Sequence, residues 1–341
     1  MSDQAIWLTE ADIAELVSIN TGIEALRDLL PREVTGGARN LSKVLATWPP
    51  RSSMHNLGSV DPERGVGGIK SWVNTPEGAQ AVYVLFDTRK GQVLAMMQAG
   101  TLGALRTAGI SGLATGLMAD PGADSLSVIG AGRQALGQVA SVATVRPLRR
   151  IHVFSRTEES KQAFCETLRA KFDAEIVAEP TLESAVKAAP ILTLVTRASE
   201  PFVTAEMIAP GTHVNAVGAI LPANAELTPD AMTVFDRFVV DNIDNARLSS
   251  AELRDHFGED DAKWQALPTV GGLLASGGFR YTPGQTTCFK AMGMGLSDLA
   301  VAVAALGRAR ELGVGAPLGS EKSGGMSWDA LSAAQAGGAG Q

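Results

Sequence analysis

The chain has 341 residues, of which 45% are hydrophobic and 19% charged, a globular composition with length for two domains or one domain carrying a large insertion. A net charge of −7 argues against nucleic acid as the main partner, no apolar run reaches the roughly 18 residues of a membrane helix, and MSDQAIWLTEADIAEL has no basic-then-apolar leader. The two cysteines, Cys165 and Cys288, allow one disulfide but are read as buried thiols of a reduced, cytoplasmic protein.

LTEADIAELVSI predicts a helix capped by Thr9, with acids in its first turn, and GIEALRDLL predicts a second. PPRSSMHNLGSVDPERGVG reads as a polar, turn-rich connection. GIKSWVN, AVYVLFD and QVLAMMQ read as strands, the last two joined by a hairpin through TRKG. ALRTAGISGLATGLMA predicts a small-residue helix ending near DPGAD. From about Asp124 the short apolar runs SLSVIG, RIHVF, ILTLV, HVNAVG and RFVVD alternate with helical stretches, the signature of βαβ units in a mostly parallel sheet. TTCFKAMGMGLSDLAVAVAALGRARELG reads as one long helix, and a Gly-, Ala- and Ser-rich tail as disordered. Whether the last helix returns to the first part of the chain is left open by the sequence.

Gly130-Ala131-Gly132-Arg133-Gln134-Ala135 fits G-x-G-x-x-A, between an apolar run and a helix, as a Rossmann turn requires. Gly130 allows the tight turn, Gly132 lets the backbone approach a pyrophosphate, and Ala135 permits close helix–strand packing. The helix N-terminus offers free N–H groups to the anion. The next strand ends in Ser155-Arg156-Thr157, where an NAD site tends to carry an acid. Guanidinium and hydroxyl groups suit a 2′-phosphate, so the cofactor is read as NADP(H), with NAD(H) as the alternative. Thr196 and Ser199 follow an apolar strand at the carboxyl end where such sheets bind ligands, and Val217 is expected near the nicotinamide.

Several stretches together resemble the ornithine cyclodeaminase/mu-crystallin family: GIKSWVNTPEG, LFDTRKGQVLAMMQAGTLGALRTAGISGLATGLMADPGADSLSVIGAGRQA, HVNAVGA and CFKAMGMGLSDLAVA. The resemblance spans about residues 5 to 310. It implies an α/β fold, with a doubly wound, Rossmann-type parallel sheet inserted into an α+β dimerisation and substrate domain. The corresponding boundaries are 1–122 plus 290–318 for the substrate and dimerisation domain, 123–289 for the NADP(H)-binding domain, and 319–341 for the tail. It also implies a homodimer acting on small amino or imino acids.

By motif the resemblance assigns Lys70 and Arg106 as catalytic and substrate-binding, and Arg51 as a further carboxylate ligand, across a shorter intervening segment. A guanidinium holds a carboxylate in plane and so orients the adjacent imine carbon; Lys70 or a water it holds protonates the imine nitrogen. Thr107 is expected close to the pyrophosphate. The family's cyclodeaminases and alanine dehydrogenases resemble NAVGxD; here Ile220 stands at the acid's position, which disfavours amine oxidation and favours reduction of a preformed imine. Glu226 and His213 are near in sequence without being placed in the site. His55 is read as polar-loop material, Trp72 as core or pocket wall, and Asp298 as a structural helix residue. No metal is expected. The function read is NADPH-dependent reduction of a small imino acid. Its rivals are an amino-acid dehydrogenase or ornithine cyclodeaminase, and a non-catalytic NADPH-dependent binder of the mu-crystallin type.

Overall fold

The computed structural model describes residues 4–319. The tail expected to be disordered therefore lies, beyond Gly319, outside the described residues. Period-two alternation builds the first sheet from the strands Val66–Thr75, Gly78–Asp87 and Gln92–Gln98, paired antiparallel in sequence order. Lys70, Trp72, Tyr83 and Met97 share one face, while Ile69, Val73, Val84 and Phe86 share the other. The full sheet runs Ala316–Pro317, Ile6–Leu8, Gln92–Gln98, Gly78–Asp87, Val66–Thr75, Ser52–Asp61 and Arg39–Asn40, with Val44–Trp48 also paired to Ser52–Asp61.

Ser52–Asp61 overturns the reading of its stretch as a turn-rich connection. Ser, Asn and Gly are poor strand formers in isolation, but this segment pairs with Val66–Thr75 along its length and buries Ser52, His55, Leu57, Ser59 and Asp61. Tertiary burial overrides local preference here.

The second sheet is wholly parallel. Its spatial order is Glu175–Ala178, Arg150–Phe154, Ser125–Ile129, Ile191–Leu194, His213–Ala216, Thr287–Lys290, Arg237–Val240. Strand order reverses between Ser125–Ile129 and Ile191–Leu194, the crevice where doubly wound sheets take ligands. Thr287–Lys290 corrects the reading of one long terminal helix. β-Branched and aromatic residues hold that segment between two strands, and the helix begins only at Gly295.

The terminal helix Gly295–Leu312 returns to the first sheet. It packs against Ser52–Asp61, Val66–Thr75 and the helices Ile19–Leu29 and Gly100–Met118. At its start, a Cβ on Gly295 would lie 2.1 Å from the Gly58 carbonyl oxygen, and Leu296 N–H donates to Asn40 Oδ1 at 2.8 Å. Gly100–Met118 is buried all round from Ala108 to Thr115 and lies against Ala135–Val145, as an apolar helix inside a core does. Cys165 and Cys288 are free and buried. No helix among the described residues is long and apolar enough to cross a membrane.

Candidate functional site

Three elements far apart in sequence meet at one carboxylate. Lys70 projects from the inner face of Val66–Thr75, Arg106 from the second turn of Gly100–Met118, and Asp298 from the first turn of Gly295–Leu312. Lys70 Nζ donates to Asp298 Oδ1 at 2.6 Å, and Arg106 Nε lies 3.2 Å from the same oxygen. Lys70 is 4% exposed and Asp298 fully buried, so each charge depends on the others for the solvation it has lost. Burial, then the charges of Arg106 and Lys43, push Lys70 down to about 8, against the pull of Asp298. Asp298 Oδ2 is buried with no hydrogen-bond partner.

Arg106 also turns towards the parallel sheet. Its Nη1 would lie 2.9 Å from a Cβ on Gly293, whose φ of 82° suits glycine. Gly293 N–H and Met292 N–H donate to Asp241 at 2.6 and 2.9 Å. Burial raises the pKa of Asp241, while these amides and the charge of Arg106 pull it down. Arg106 therefore sits beyond the carboxyl ends of Arg237–Val240 and Thr287–Lys290.

Lys43, which sequence reasoning did not single out, is a further cation whose charge is felt at this cluster. Burial and then Arg106 lower its pKa, and its charge reaches His55 and Lys70 as well. It lies in a short connection between strands, where no local pattern marks it. Asp298 was undervalued, although an acid inside the otherwise apolar SDLAVAVAALG is itself a signal that a buried partner exists.

Arg51 is not with these groups. It occupies the exposed turn before Ser52–Asp61 with φ 48°, and the register sets Lys70 opposite Leu57. Six residues of strand put roughly 20 Å between that turn and Leu57, so within this chain Arg51 is set apart from the Lys70–Asp298–Arg106 cluster. His55 is a buried strand residue, not loop material. Its ring stacks on Trp72 at 4.5 Å, and Lys70 Nζ lies 5.0 Å from the centre of the Trp72 ring. Burial and the charges of Lys43 and Lys70 hold His55 neutral, with its pKa lowered to about 4.

On the parallel sheet, Gly130 has φ 114°, and a Cβ there would stand 2.8 Å from the Val195 carbonyl oxygen. Gly132 has open space where a Cβ would project. No side chain caps Ala135–Val145, whereas Thr157 caps the helix Glu158–Arg169. Gly130 N–H is taken by the Phe154 carbonyl at 2.8 Å, and the turn that follows, Ala131, Gly132, Arg133, Gln134, presents its N–H groups at the start of the uncapped helix, a fit for a pyrophosphate. Ser155 is half-buried at the end of Arg150–Phe154, while Arg133, Arg156 and Thr157 are exposed. The Thr157 hydroxyl is engaged with Ser160 at 2.6 Å. Thr107 donates its hydroxyl to the Gly103 carbonyl, and its own carbonyl accepts from Gln138 Nε2 of the helix after the glycine turn. Thr196 and Val217 follow the adjacent strands Ile191–Leu194 and His213–Ala216.

Ile220 is 40% exposed in the loop beyond Val217. Glu226 does not stand in for an acid there: both its oxygens are taken by Thr196, Gly218 and Ala219. His213 is buried between Thr287 and Asn215, and burial lowers its pKa to about 3. No group of three or more His, Cys, Asp or Glu side chains suited to a metal occurs among the described residues.

The chain resembles Delta(1)-pyrroline-2-carboxylate reductase of Bacillus cereus at 31% identity over 257 residues, covering 73% of this chain and 79% of that one. It resembles the ketimine reductase mu-crystallin of Mus musculus at 32% over 223 residues, 65% and 67% of the two chains. Among solved structures, Thermococcus litoralis Delta(1)-pyrroline-2-carboxylate reductase, in complex with NADH and L-proline, superposes with a TM-score of 0.86 at 24% identity, covering 92% of this chain and all (100%) of that one. The iminosuccinate reductase of Paracoccus denitrificans, in complex with NAD+, gives 0.85 at 24%, covering 93% and 100%. At those identities the structural likeness carries the fold. The family model for ornithine cyclodeaminase/mu-crystallin proteins matches residues 9–312, and the chain belongs to that family.

Proposed function

We propose that the protein reduces small imino acids, such as five- or six-membered cyclic imine 2-carboxylates, with NADPH as the preferred dinucleotide. Bound NADPH supplies the hydride. Arg106 and Lys43 bind the substrate carboxylate and fix the imine carbon in place. Lys70 gives a proton to the imine nitrogen or to a water that carries it there. The observation that carries this reading is the buried Lys70–Asp298–Arg106 cluster at the carboxyl edge of the parallel sheet. Lys70 and Arg106 share Asp298, and Arg106 and Lys43 also feel Asp241, so the cluster gathers cations that suit an anionic substrate. Ile220 stands where an acid would take the amine proton, Asp298 Oδ1 is held by two cations and both Glu226 oxygens by Thr196, Gly218 and Ala219, which supports reduction over amine oxidation.

Ser155, Arg156, Thr157 and Arg133 form the group that selects the 2′-phosphate. Residues 1–122 plus 290–318 act as the substrate and dimerisation domain, and 123–289 as the dinucleotide-binding domain. The protein works as a homodimer through the outer face of the first sheet. Two free, buried cysteines suit a reducing compartment such as the cytoplasm.

The test is NADPH oxidation, followed by absorbance, against a panel of cyclic and linear imino acids with NADH in parallel. Turnover favouring NADPH, lowered about 10²-fold or more by Arg106→Ala, is expected. Ammonia release from ornithine or alanine with the oxidised cofactor would move the protein to the dehydrogenases and cyclodeaminases. Tight NADPH binding without any turnover would make it a binding protein.

A further inference from the structure

One fully buried carboxylate has no place in the chemistry above. Glu226 accepts with both oxygens: Oε1 from the Thr196 amide and hydroxyl, each at 2.7 Å, and Oε2 from the amides of Gly218 and Ala219 at 3.0 and 3.2 Å. These donors follow two neighbouring strands, Ile191–Leu194 and His213–Ala216. The backbone of Glu226 is fixed as well. Its N–H donates to Glu252 Oε1 at 2.8 Å, and its carbonyl accepts from Phe202 and Val203 at 3.0 Å each. Glu252 in turn pairs at 2.5 Å with Lys290, which is 2% exposed and ends the next strand, beside Ala216. Gly218 leaves no freedom for the loop to slide: a Cβ there would stand 2.1 Å from the Thr196 carbonyl oxygen and 2.4 Å from Glu226 Oε1.

This set of ionic and hydrogen-bonded contacts satisfies a carboxylate that has lost all its solvent. It cross-links two strand ends at the crevice. The glycine turn at Gly130 would hold the pyrophosphate end of a dinucleotide, whose far half would then lie towards the ends of Ile191–Leu194 and His213–Ala216. We infer that Glu226 is a positioning residue: by locking Thr196 to Gly218–Ala219 it sets the nicotinamide ring over the substrate cations, while Glu252 and Lys290 hold Glu226 itself. The inference rests on the dinucleotide reading above. It does not need Glu226 to exchange a proton or to touch substrate.

Glutamine at this position keeps the shape but replaces one acceptor oxygen by a donor, so one pair of donors loses its acceptor. The full-length Glu226→Gln protein is compared with wild type for NADPH affinity, for the emission lifetime of the bound reduced nicotinamide, and for turnover with 4-deuterated NADPH. The expected result is NADPH affinity within about threefold of wild type, an altered lifetime, and turnover lowered about 10²-fold with the primary isotope effect more fully expressed, the size of loss a 1 Å misplacement brings. Wild-type turnover, or affinity falling in step with turnover, would overturn the inference. If Glu226→Gln does not fold, Glu226→Asp decides: it keeps the charge on a shorter side chain, so slowed turnover at wild-type affinity supports the clamp and wild-type turnover sinks it. If wild type reduces no imine, the functional reading fails on its own, and the lifetime still judges the clamp. A changed lifetime in Glu226→Gln or Glu226→Asp at unchanged affinity supports it, and an unchanged one overturns it.

Discussion

Lys70 carries the acid–base prediction. Its pKa, lowered to about 8, lies above neutral pH, so the ammonium keeps its proton at pH 7 and gives it up more readily than an ordinary lysine. The facing groups are Lys43 and Arg106, which repel its charge, Asp298, which attracts it, and His55, which is neutral. If the protonated form donates, kcat/KM for the imine is level near pH 7 and falls about tenfold per unit above pH 8. Asp298→Asn removes the attraction and leaves both cations, so the Lys70 pKa drops further, by about 1–3 units. The alkaline fall then moves to lower pH by that amount. A pH profile of kcat/KM for both proteins checks this, and a fall that stays near pH 8 in the variant would remove Lys70 as the donor.

At the scale of elements, the site depends on how closely a helix approaches a strand. Gly295 begins the terminal helix directly on the backbone of Gly58, and the first turn thereby carries Asp298 to Lys70, whose strand pairs with that of Gly58. Gly295→Ala places a methyl group where the Gly58 carbonyl stands, so the helix start must shift. Overpacking of this kind costs about 1–3 kcal/mol, or roughly 1–4 °C in melting temperature for a chain of this size. Because the displaced turn carries Asp298, turnover is expected to fall along with stability. Thermal unfolding and steady-state rates measured together test this; a stable and fully active Gly295→Ala protein would mean that the contact is looser than it stands here.

At the scale of the molecule, the same alternation that turns Lys70 and Trp72 inward leaves Met54, Ile69, Val73, Phe86 and Val93 exposed on the outer face of the first sheet. Contiguous exposed apolar residues on a sheet mark a contact surface. A two-fold dimer through this face would bury it against its own copy. If the wild type sediments as a dimer formed through this face, the double variant Ile69→Lys, Val73→Glu is expected to sediment as a monomer at the same concentration. A wild-type protein that sediments as a monomer would remove the face from that role.

Local chemistry made the parallel sheet legible. Short apolar strands, capped helices and a glycine turn each carry their signal within about 30 residues, so the glycine turn at Gly130 and the strand ends at Thr157, Thr196 and Val217 could be marked on the sequence. Lys70 and Arg106 became visible through resemblance, since a lone lysine in a strand or arginine in a helix is locally unremarked. Tertiary structure alone decided the rest. Ser52–Asp61 is a strand because its neighbours bury it, against the preference of its own residues. The last helix starts at Gly295 because strand pairing claims Thr287–Lys290 first. Arg51 stands in an exposed turn away from Lys70, and Asp298 joins Lys70 across 228 residues of sequence, because contacts between remote elements are fixed by packing and by the desolvation of charge. No pattern within a single segment encodes either.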